Sequence, residues 1–187
     1  MSPWRDAPRY GTLRCVDELA ITVVGRDRPG IVADVSSVLA GLRLNLTDSS
    51  MTLLRGHFAM TLICMGTPGV AAVQAALGAL TAGGELVATV RAVPPESASS
   101  HVGAPYTLLV HGADRLGIVA TVTGVLARVG GNVTDLTTRL SGSLYLLAAE
   151  VDLPPTVDVD ELLEELDEVA ARLGVDVTLR TAEADVL

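Results

Sequence analysis

Apolar residues along the chain occur first in short strand-like runs and then at helical spacing, and this order is found twice. The runs Leu19–Val24 and Tyr106–His111 are short and rich in residues that favour strands. After each run, apolar residues recur at helical spacing, which predicts a helix with one buried face. These residues are Ile31, Val32, Val35, Val38, Leu39 and Leu42 in the first half, and Ile118, Val119, Val122, Val125, Leu126 and Val129 in the second.

Each of these helices is followed by a predicted hairpin, a second helix and a last strand. The hairpin strands are expected at Asn45–Leu53, Phe58–Met65, Asn132–Leu140 and Leu144–Val151, with tight turns at Arg55-Gly56 and Ser141-Gly142. The second helices are expected at Gly69–Ala82, capped by Thr67-Pro68, and between Asp158 and Gly174, with last strands at Leu86–Val93 and Val175–Thr181. The order βαββαβ, found twice, predicts an α+β fold of two ferredoxin-like domains, each an antiparallel sheet with its helices on one face.

An internal repeat supports this division. The 24 residues from Gly25 to Asp48 return 87 residues later as Gly112 to Asp135, with 14 identities and no gap. A Pro/Ser-rich stretch separates the copies and is typical of a linker. We therefore expect an irregular N-terminal arm at 1–16, a first domain at 17–93, a linker at 94–103 and a second domain at 104–183.

The predicted helix Gly69–Ala82 carries no charge, and Gln74 and Thr81 are its only polar side chains. An alanine-rich surface that water tolerates would explain this composition. Contact with another domain or subunit would explain it equally well. We expect a homo-oligomer, with this helix or the free sheet edges at its seam.

Composition narrows the class of partner. The net charge is −9, from 13 Lys and Arg against 22 Asp and Glu, and aromatic residues are sparse. Direct nucleic-acid binding needs a basic surface and often aromatic platforms, so no nucleic-acid partner is expected. No apolar run approaches the length of a membrane span, and the first residues have no hydrophobic signal core. The sequence thus predicts a soluble, cytoplasmic protein without a membrane partner.

Metal, redox and catalytic motifs find no support in the sequence. His57, His101 and His111 lack ligand spacing, and Cys15 and Cys64 are expected to be thiols rather than a disulfide. The segment Gly25–Gly30 lacks the lysine and hydroxyl of a phosphate loop. The acidic run Asp158–Glu168 alternates with leucines, as a solvated helix face does. We expect no cofactor, no metal and no catalysis.

The junction of first strand and first helix is the best candidate for a site, because both copies keep Gly, Asp, Arg and Gly there. A helix N-terminus offers free N–H groups and partial positive charge, which suit a carboxylate. Gly30 and Gly117 lack a Cβ, so a ligand could approach those N–H groups closely. Asp27 and Asp114 could accept hydrogen bonds from an ammonium group.

An asparagine opens the next strand in each copy, and we expect the returning helix to bring its amide to the same region. A carboxylate site, an ammonium acceptor and an amide together predict an α-amino acid pocket. Its candidate residues are Asp27, Arg28, Gly30, Ile31, Asn45 and Leu46 in the first copy, and Asp114, Arg115, Gly117, Ile118, Asn132 and Val133 in the second.

Purely structural roles remain open for the same residues. The aspartates could cap the helices, the glycines could permit close helix–sheet packing, and the asparagines could serve turns. The arginines could be solvated loop charges. His111 is expected to lie at a strand end and face solvent.

The segments Val24–Val32 (Val-Gly-Arg-Asp-Arg-Pro-Gly-Ile-Val) and Asn45–Asp48 (Asn-Leu-Thr-Asp) resemble the ACT-domain signature of strand, D-x-P-G loop, helix and Asn-led strand. The second copy has Leu116 in place of the proline, so the first copy is expected to hold the stronger site. The resemblance covers nearly all of the chain, as in the tandem ACT proteins of the glycine cleavage system transcriptional repressor group. It implies amino-acid-responsive regulation through a protein partner such as a transcription factor, with the ligand at an interface between two units.

Three hypotheses of different classes follow. The first is a sensor of a small amino acid, such as glycine or serine, that signals to a protein partner. The second is a ligand-free ACT assembly module or a regulatory subunit of an amino-acid metabolic enzyme. The third, an enzyme, would need a site shared with another chain. Stabilisation by a ligand separates the first hypothesis from the second, and turnover assays address the third.

We predict that the isolated protein does not bind DNA sequence-specifically, because the chain is acidic and has neither a helix-turn-helix pattern nor a basic cluster. A gel shift at moderate salt is expected to show no competitor-resistant complex. Submicromolar binding that survives competitor DNA would contradict the prediction.

Overall fold

Strand and helix periods alternate in the structure as they do in the sequence. The computed structural model describes residues 17–94 and 103–182, which form two compact units, one before and one after residues 95–102. Unit 1 consists of β1 (Asp17–Arg26), α1 (Ile31–Gly41), β2 (Asn45–Leu54), β3 (His57–Gly66), α2 (Val70–Thr81) and β4 (Leu86–Val93). Unit 2 consists of β5 (Ala104–Ala113), α3 (Ile118–Arg128), β6 (Asn132–Ser141), β7 (Leu144–Leu153), α4 (Val159–Leu173) and β8 (Val175–Thr181).

Each unit is built on one antiparallel sheet of four strands. The strand order is β2-β3-β1-β4 in unit 1 and β6-β7-β5-β8 in unit 2. The opening strand of each unit is central and pairs with a strand on both sides, and Ile21 accordingly faces Leu62 and Val90. The predicted ferredoxin-like order βαββαβ is confirmed for both units. The expected domain boundaries stay a prediction, and the N-terminal arm lies outside the described residues.

The helices bury the apolar faces that their periodicity predicts. Ile31, Val35 and Leu39 of α1 are buried against the sheet, as are Val73 and Leu77 of α2. The prediction is wrong for Val32, which is 41% exposed, because the buried stripe of α1 is narrower than the run of apolar residues. Its counterpart in α3, Val119, packs partly against the core of unit 2.

The two hairpins close with two-residue turns of different geometry. Arg55 and Gly56 both have positive φ, 50° and 79°, as a type I′ turn requires. In the second hairpin Ser141 still pairs with Leu144, so the turn is Gly142-Ser143 rather than the predicted Ser141-Gly142. Gly142, with φ of 61°, occupies the first turn position, where a type II′ turn requires glycine.

The helix caps follow the sequence in one unit and depart from it in the other. Asp158 caps α4, and its carboxylate accepts hydrogen bonds from the N–H groups of Asp160 and Glu161. In α2 the N-cap is Gly69, which provides no side-chain hydrogen bond. The predicted cap Thr67-Pro68 is therefore wrong, because both residues lie before the helix begins.

The thiol of Cys64 lies in the core of unit 1, where burial raises its pKa. Cys15 and His101 lie outside the described residues. In the described ranges, no group of three or more His, Cys, Asp or Glu side chains is arranged to hold a metal ion. No helix in those same ranges is long and apolar enough to span a membrane.

We predict that Leu77→Ala lowers the free energy of unfolding of unit 1 by about 2–5 kcal/mol, because the side chain is 1% exposed and its removal leaves a cavity. Leu54→Ala, at a position that is 49% exposed, is the matched control and is expected to cost no more than about 0.5 kcal/mol. Urea unfolding of both variants measures the difference. Equal losses would show that α2 does not pack as described.

Candidate functional site

The N-terminus of α1 has free hydrogen-bond donors. Its N-cap, Gly30, has φ of 89° and ψ of −5°, and no side chain caps the helix. The first helical hydrogen bond runs from the N–H of Asp34 to the carbonyl of Gly30, at 2.9 Å. The N–H groups of Ile31, Val32 and Ala33 therefore have no acceptor within the helix.

The residues that carry these donors line a cavity of about 460 Å³. Its walls come from the loop after β1, the first turn of α1 and the two strands of the first hairpin. The lining residues are Asp27, Arg28, Gly30, Ile31, Val32, Ala33, Met51 and Phe58. The three residues with free N–H groups thus line the same cavity as Asp27 and two large apolar residues, Met51 and Phe58.

Charges at the rim of the cavity are already paired in part. The guanidinium of Arg28 donates to the carboxylate of Asp34 at 2.8 Å, and both side chains are partly exposed. Exposed pairs of this kind contribute little to the free energy of unfolding. The backbone N–H of Asp27 donates to the carbonyl of Gly56 at 3.0 Å, which ties the loop to the hairpin turn.

The alternative role of the aspartates as helix caps is wrong. The caps are Gly30 in α1 and Gly117 in α3, and neither helix has a side-chain cap. Close packing does not explain these glycines either, because a Cβ on Gly30 would meet nothing nearer than 3.9 Å. A φ of 89° at both positions is the physical reason for glycine.

The expected approach of Asn45 to the loop at 27–30 is wrong within one unit. Asn45 of β2 pairs with Met65 of β3, and Met65 in turn pairs with Glu18 near the start of β1. Arg26, at the end of β1, pairs with His57 at the opposite end of β3. Met65 and His57 are eight residue steps apart on β3, which corresponds to about 25 Å of strand. Asn45 and Leu46 therefore lie at the far end of the sheet from Asp27, Arg28, Gly30 and Ile31.

The same separation holds in unit 2. Asn132 pairs with Asp152 and Val133 with Val151, while Ala113, which precedes the loop, pairs with Leu144 at the other end of β7. Only the members of the predicted set that belong to the loop and helix start are neighbours. They are Asp114, Arg115, Gly117 and Ile118.

The loop of unit 2 keeps the backbone of its counterpart but not its side-chain contacts. Gly117 has the same φ of 89°, and its carbonyl accepts from the N–H of Thr121 at 2.8 Å. Thr121 stands where α1 has Asp34, so Arg115 lacks the corresponding acidic partner. The guanidinium of Arg115 instead lies beside Gly174, and Leu116 is fully exposed.

Sequence reasoning missed the walls of the cavity. Met51 and Phe58 lie on neighbouring strands, and the pairing of Leu54 with His57 across the turn places both near the end of β1. The two-residue turn at Arg55-Gly56 was the available signal, because it fixes the register of the hairpin.

Comparison with known proteins identifies both units. The ACT domain family matches residues 17–90 and 107–180. A UPF0237 protein of Methanopyrus kandleri is 56% identical over 43 residues, which are 23% of this chain and 48% of that protein. A UPF0237 protein of Pyrobaculum aerophilum is 38% identical over 71 residues, 37% of this chain and 79% of that protein. The chain spans about half the length of the first curated relatives that it matches.

Two solved structures share the fold over 90% of the chain. An unknown protein from Galdieria sulphuraria is 30% identical with a TM-score of 0.75, and 99% of its chain is covered. A putative glycine cleavage system transcriptional repressor is 23% identical with a TM-score of 0.68, again with 99% of its chain covered. The second likeness concerns the fold alone.

We predict that Gly30→Ala lowers the free energy of unfolding by about 1–2 kcal/mol, because alanine is strained at a φ of 89°. Gly41→Ala is the matched control: Gly41 is the last residue of the same helix, and a Cβ there meets no atom within 4 Å. That variant is expected to be neutral or stabilising by up to about 1 kcal/mol. Chemical denaturation distinguishes the two, and equal effects would contradict the left-handed cap.

Proposed function

The chain belongs to the ACT-domain family, and on that premise we propose that it is an amino-acid-responsive regulatory protein whose ligand binds in the α1 cavity of unit 1. One observation carries the proposal. The three free N–H groups of the first turn of α1 belong to Ile31, Val32 and Ala33, and these residues line the same cavity as Asp27.

The chemistry of this cavity fits a small zwitterion. A ligand carboxylate would accept hydrogen bonds from the free N–H groups, helped by the partial positive charge of the helix end. A ligand ammonium group would donate to Asp27, and a short side chain would lie against Met51 and Phe58. The guanidinium of Arg28, which lines the same cavity and donates to Asp34, would supply further donors at the rim.

We propose that the ligand is a small amino acid such as glycine or serine, and that unit 1 is the stronger site. Pro29 fixes its own φ and so lowers the entropy cost of ordering the first loop, whereas the exposed Leu116 of the second loop does not.

The proposed output is regulatory and acts through a protein partner, such as a transcription factor, rather than through direct contact with nucleic acid. The net charge of −9 supports this proposal, because an acidic protein is repelled by the phosphates of nucleic acid. We also propose a homo-oligomer. Exposed alanines on α2 are compatible with a contact surface, whereas the buried Val73 and Leu77 face the core, so acidic substitutions there would unfold unit 1 rather than dissociate subunits.

A thermal-shift screen against the twenty amino acids tests the proposal on the full chain. A ligand at about one hundred times its Kd should add about 2.7 kcal/mol of stability. For a chain of this size the melting temperature should rise by roughly 5–11 °C. Calorimetry that finds no amino acid bound at millimolar concentration would leave the ligand-free assembly module in place of the sensor.

We predict that Asp27→Asn weakens binding of the amino acid by about 1–3 kcal/mol, since it removes the charged acceptor for the ammonium group and keeps the side-chain shape. Asp114→Asn, at the corresponding position of unit 2, is the matched control and is expected to have a smaller effect. Isothermal titration measures both. Equal affinities for Asp27→Asn and the unmodified protein would place the ligand elsewhere.

The variant Asn45→Ala tests whether unit 1 alone forms the complete site. If it does, the affinity of the variant for the amino acid is expected to stay within about twofold of that of the unmodified protein, because Asn45 lies at the far end of the sheet from the cavity. A loss of tenfold or more would mean that Asn45 of a second copy contributes to the site.

A further inference from the structure

The outer edge of β4 is closed by a side chain of its own unit. Gln74 of α2 donates from Nε2 to the carbonyl of Ala88 at 2.8 Å and accepts at Oε1 from the N–H of Val90 at 3.0 Å. The side-chain amide thereby occupies two backbone groups that a further strand would need. An edge closed in this way resists pairing with another chain.

Within residues 17–94 and 103–182, no side chain closes the outer edge of β8 by a hydrogen-bonded pair of this kind. Val177 and Leu179 pair with β5 in the same register in which Ala88 and Val90 pair with β1, so their outward backbone groups correspond. Among the described strands β8 pairs with β5 alone.

The difference between the two edges traces to one helix position. Gln74 is the fifth residue of α2, and Leu163 is the fifth residue of α4. A leucine side chain has no donor or acceptor, so it leaves the backbone of β8 open. Leu163 and Val177 pack only partly against the core of unit 2, which leaves apolar surface beside the same edge.

The sequence of β8, Val-Asp-Val-Thr-Leu-Arg-Thr, is complementary to itself when it is reversed about Thr178. In that antiparallel register Val177 of one strand is opposite Leu179 of the other, so outward backbone groups meet outward backbone groups. Asp176 is opposite Arg180, twice, on the face of the sheet away from the helices. On its own sheet, the carboxylate of Asp176 lies 3.4 Å from Nε2 of His111 in β5, and the Asp176 side chain is still 78% exposed.

We propose that β8 is a self-association edge that pairs antiparallel with β8 of a second copy, about a two-fold axis at Thr178, to form a continuous eight-stranded sheet. Two Asp176–Arg180 pairs set the register, and Leu163 and Val177 of both copies lose their remaining exposure. This inference identifies β8 as the strand through which the proposed homo-oligomer associates, and it does not depend on amino acid binding.

Cysteine cross-linking in the full chain tests the axis. In a Cys15→Ser background the remaining native thiol is the buried Cys64. Thr178→Cys is expected to form a covalent dimer under mild oxidation, because opposed residues of a non-hydrogen-bonded pair lie about 4.5 Å apart between Cα atoms. Thr89→Cys, the corresponding position of the closed β4 edge, is the matched control and is expected to stay monomeric on a non-reducing gel.

Charge reversal tests the register. Asp176→Arg and Arg180→Asp each set like charges opposite one another, and each is expected to raise the dimer Kd about tenfold or more in sedimentation equilibrium. The double variant carrying both changes restores opposite charges and is expected to recover the original Kd. Leu163→Gln is expected to weaken the dimer as well. The new glutamine would bond the outward backbone groups of Val177 and Leu179, as Gln74 bonds those of Ala88 and Val90, and would leave them unavailable to a second copy.

Three results would overturn the proposal. They are a monomer at high micromolar concentration, a dimer in which Thr178→Cys does not cross-link, and a double charge variant as weak as the single ones. The second result would reject β8 as the edge and still leave self-association standing. A titration of the same protein with amino acids reports on the ligand site separately, so the two failures are distinguishable.

Discussion

A left-handed glycine at the start of the first helix is the constraint on which each unit depends. The chain leaves the central strand and must reverse direction within four residues, from Asp27 to Gly30, to lay α1 back over the sheet. Gly30 makes the turn at a φ of 89°, and Gly117 repeats it in unit 2. Because glycine offers no side-chain cap, the turn also leaves the first N–H groups of the helix free. The fold and the candidate site thus follow from one backbone conformation.

The two units show how one framework supports different surfaces. Backbone geometry is the same at both helix starts, yet Arg28 pairs with Asp34 in unit 1, and Thr121 stands in place of that aspartate in unit 2. The sheet edges differ in the same way, with Gln74 on β4 and Leu163 beside β8. Each difference results from a single substitution between the two units, and the order of strands and helices is the same in both.

The sequence allowed the elements to be predicted because their periods are strong, and it failed where distances between elements matter. The order of strands and helices, the buried stripes and the ACT resemblance all depend on local pattern. The place of Asn45 does not. An 11-residue helix covers about 16 Å, which returns the chain to the start of β1 rather than to the loop that the helix left. Asn45 therefore opens its strand at the opposite end of the sheet.

The walls of the cavity show the same limit in another form. Met51 and Phe58 reach the helix start only because a two-residue turn fixes the pairing of β2 with β3. A shift of one residue would turn both side chains to the other face of the sheet. The two copies have the same residue at 14 of 24 aligned positions across the loop and the helix. These identical residues account for the backbone conformation that the two units share. The positions that differ, such as Pro29 and Leu116, are where each unit acquires its own chemistry.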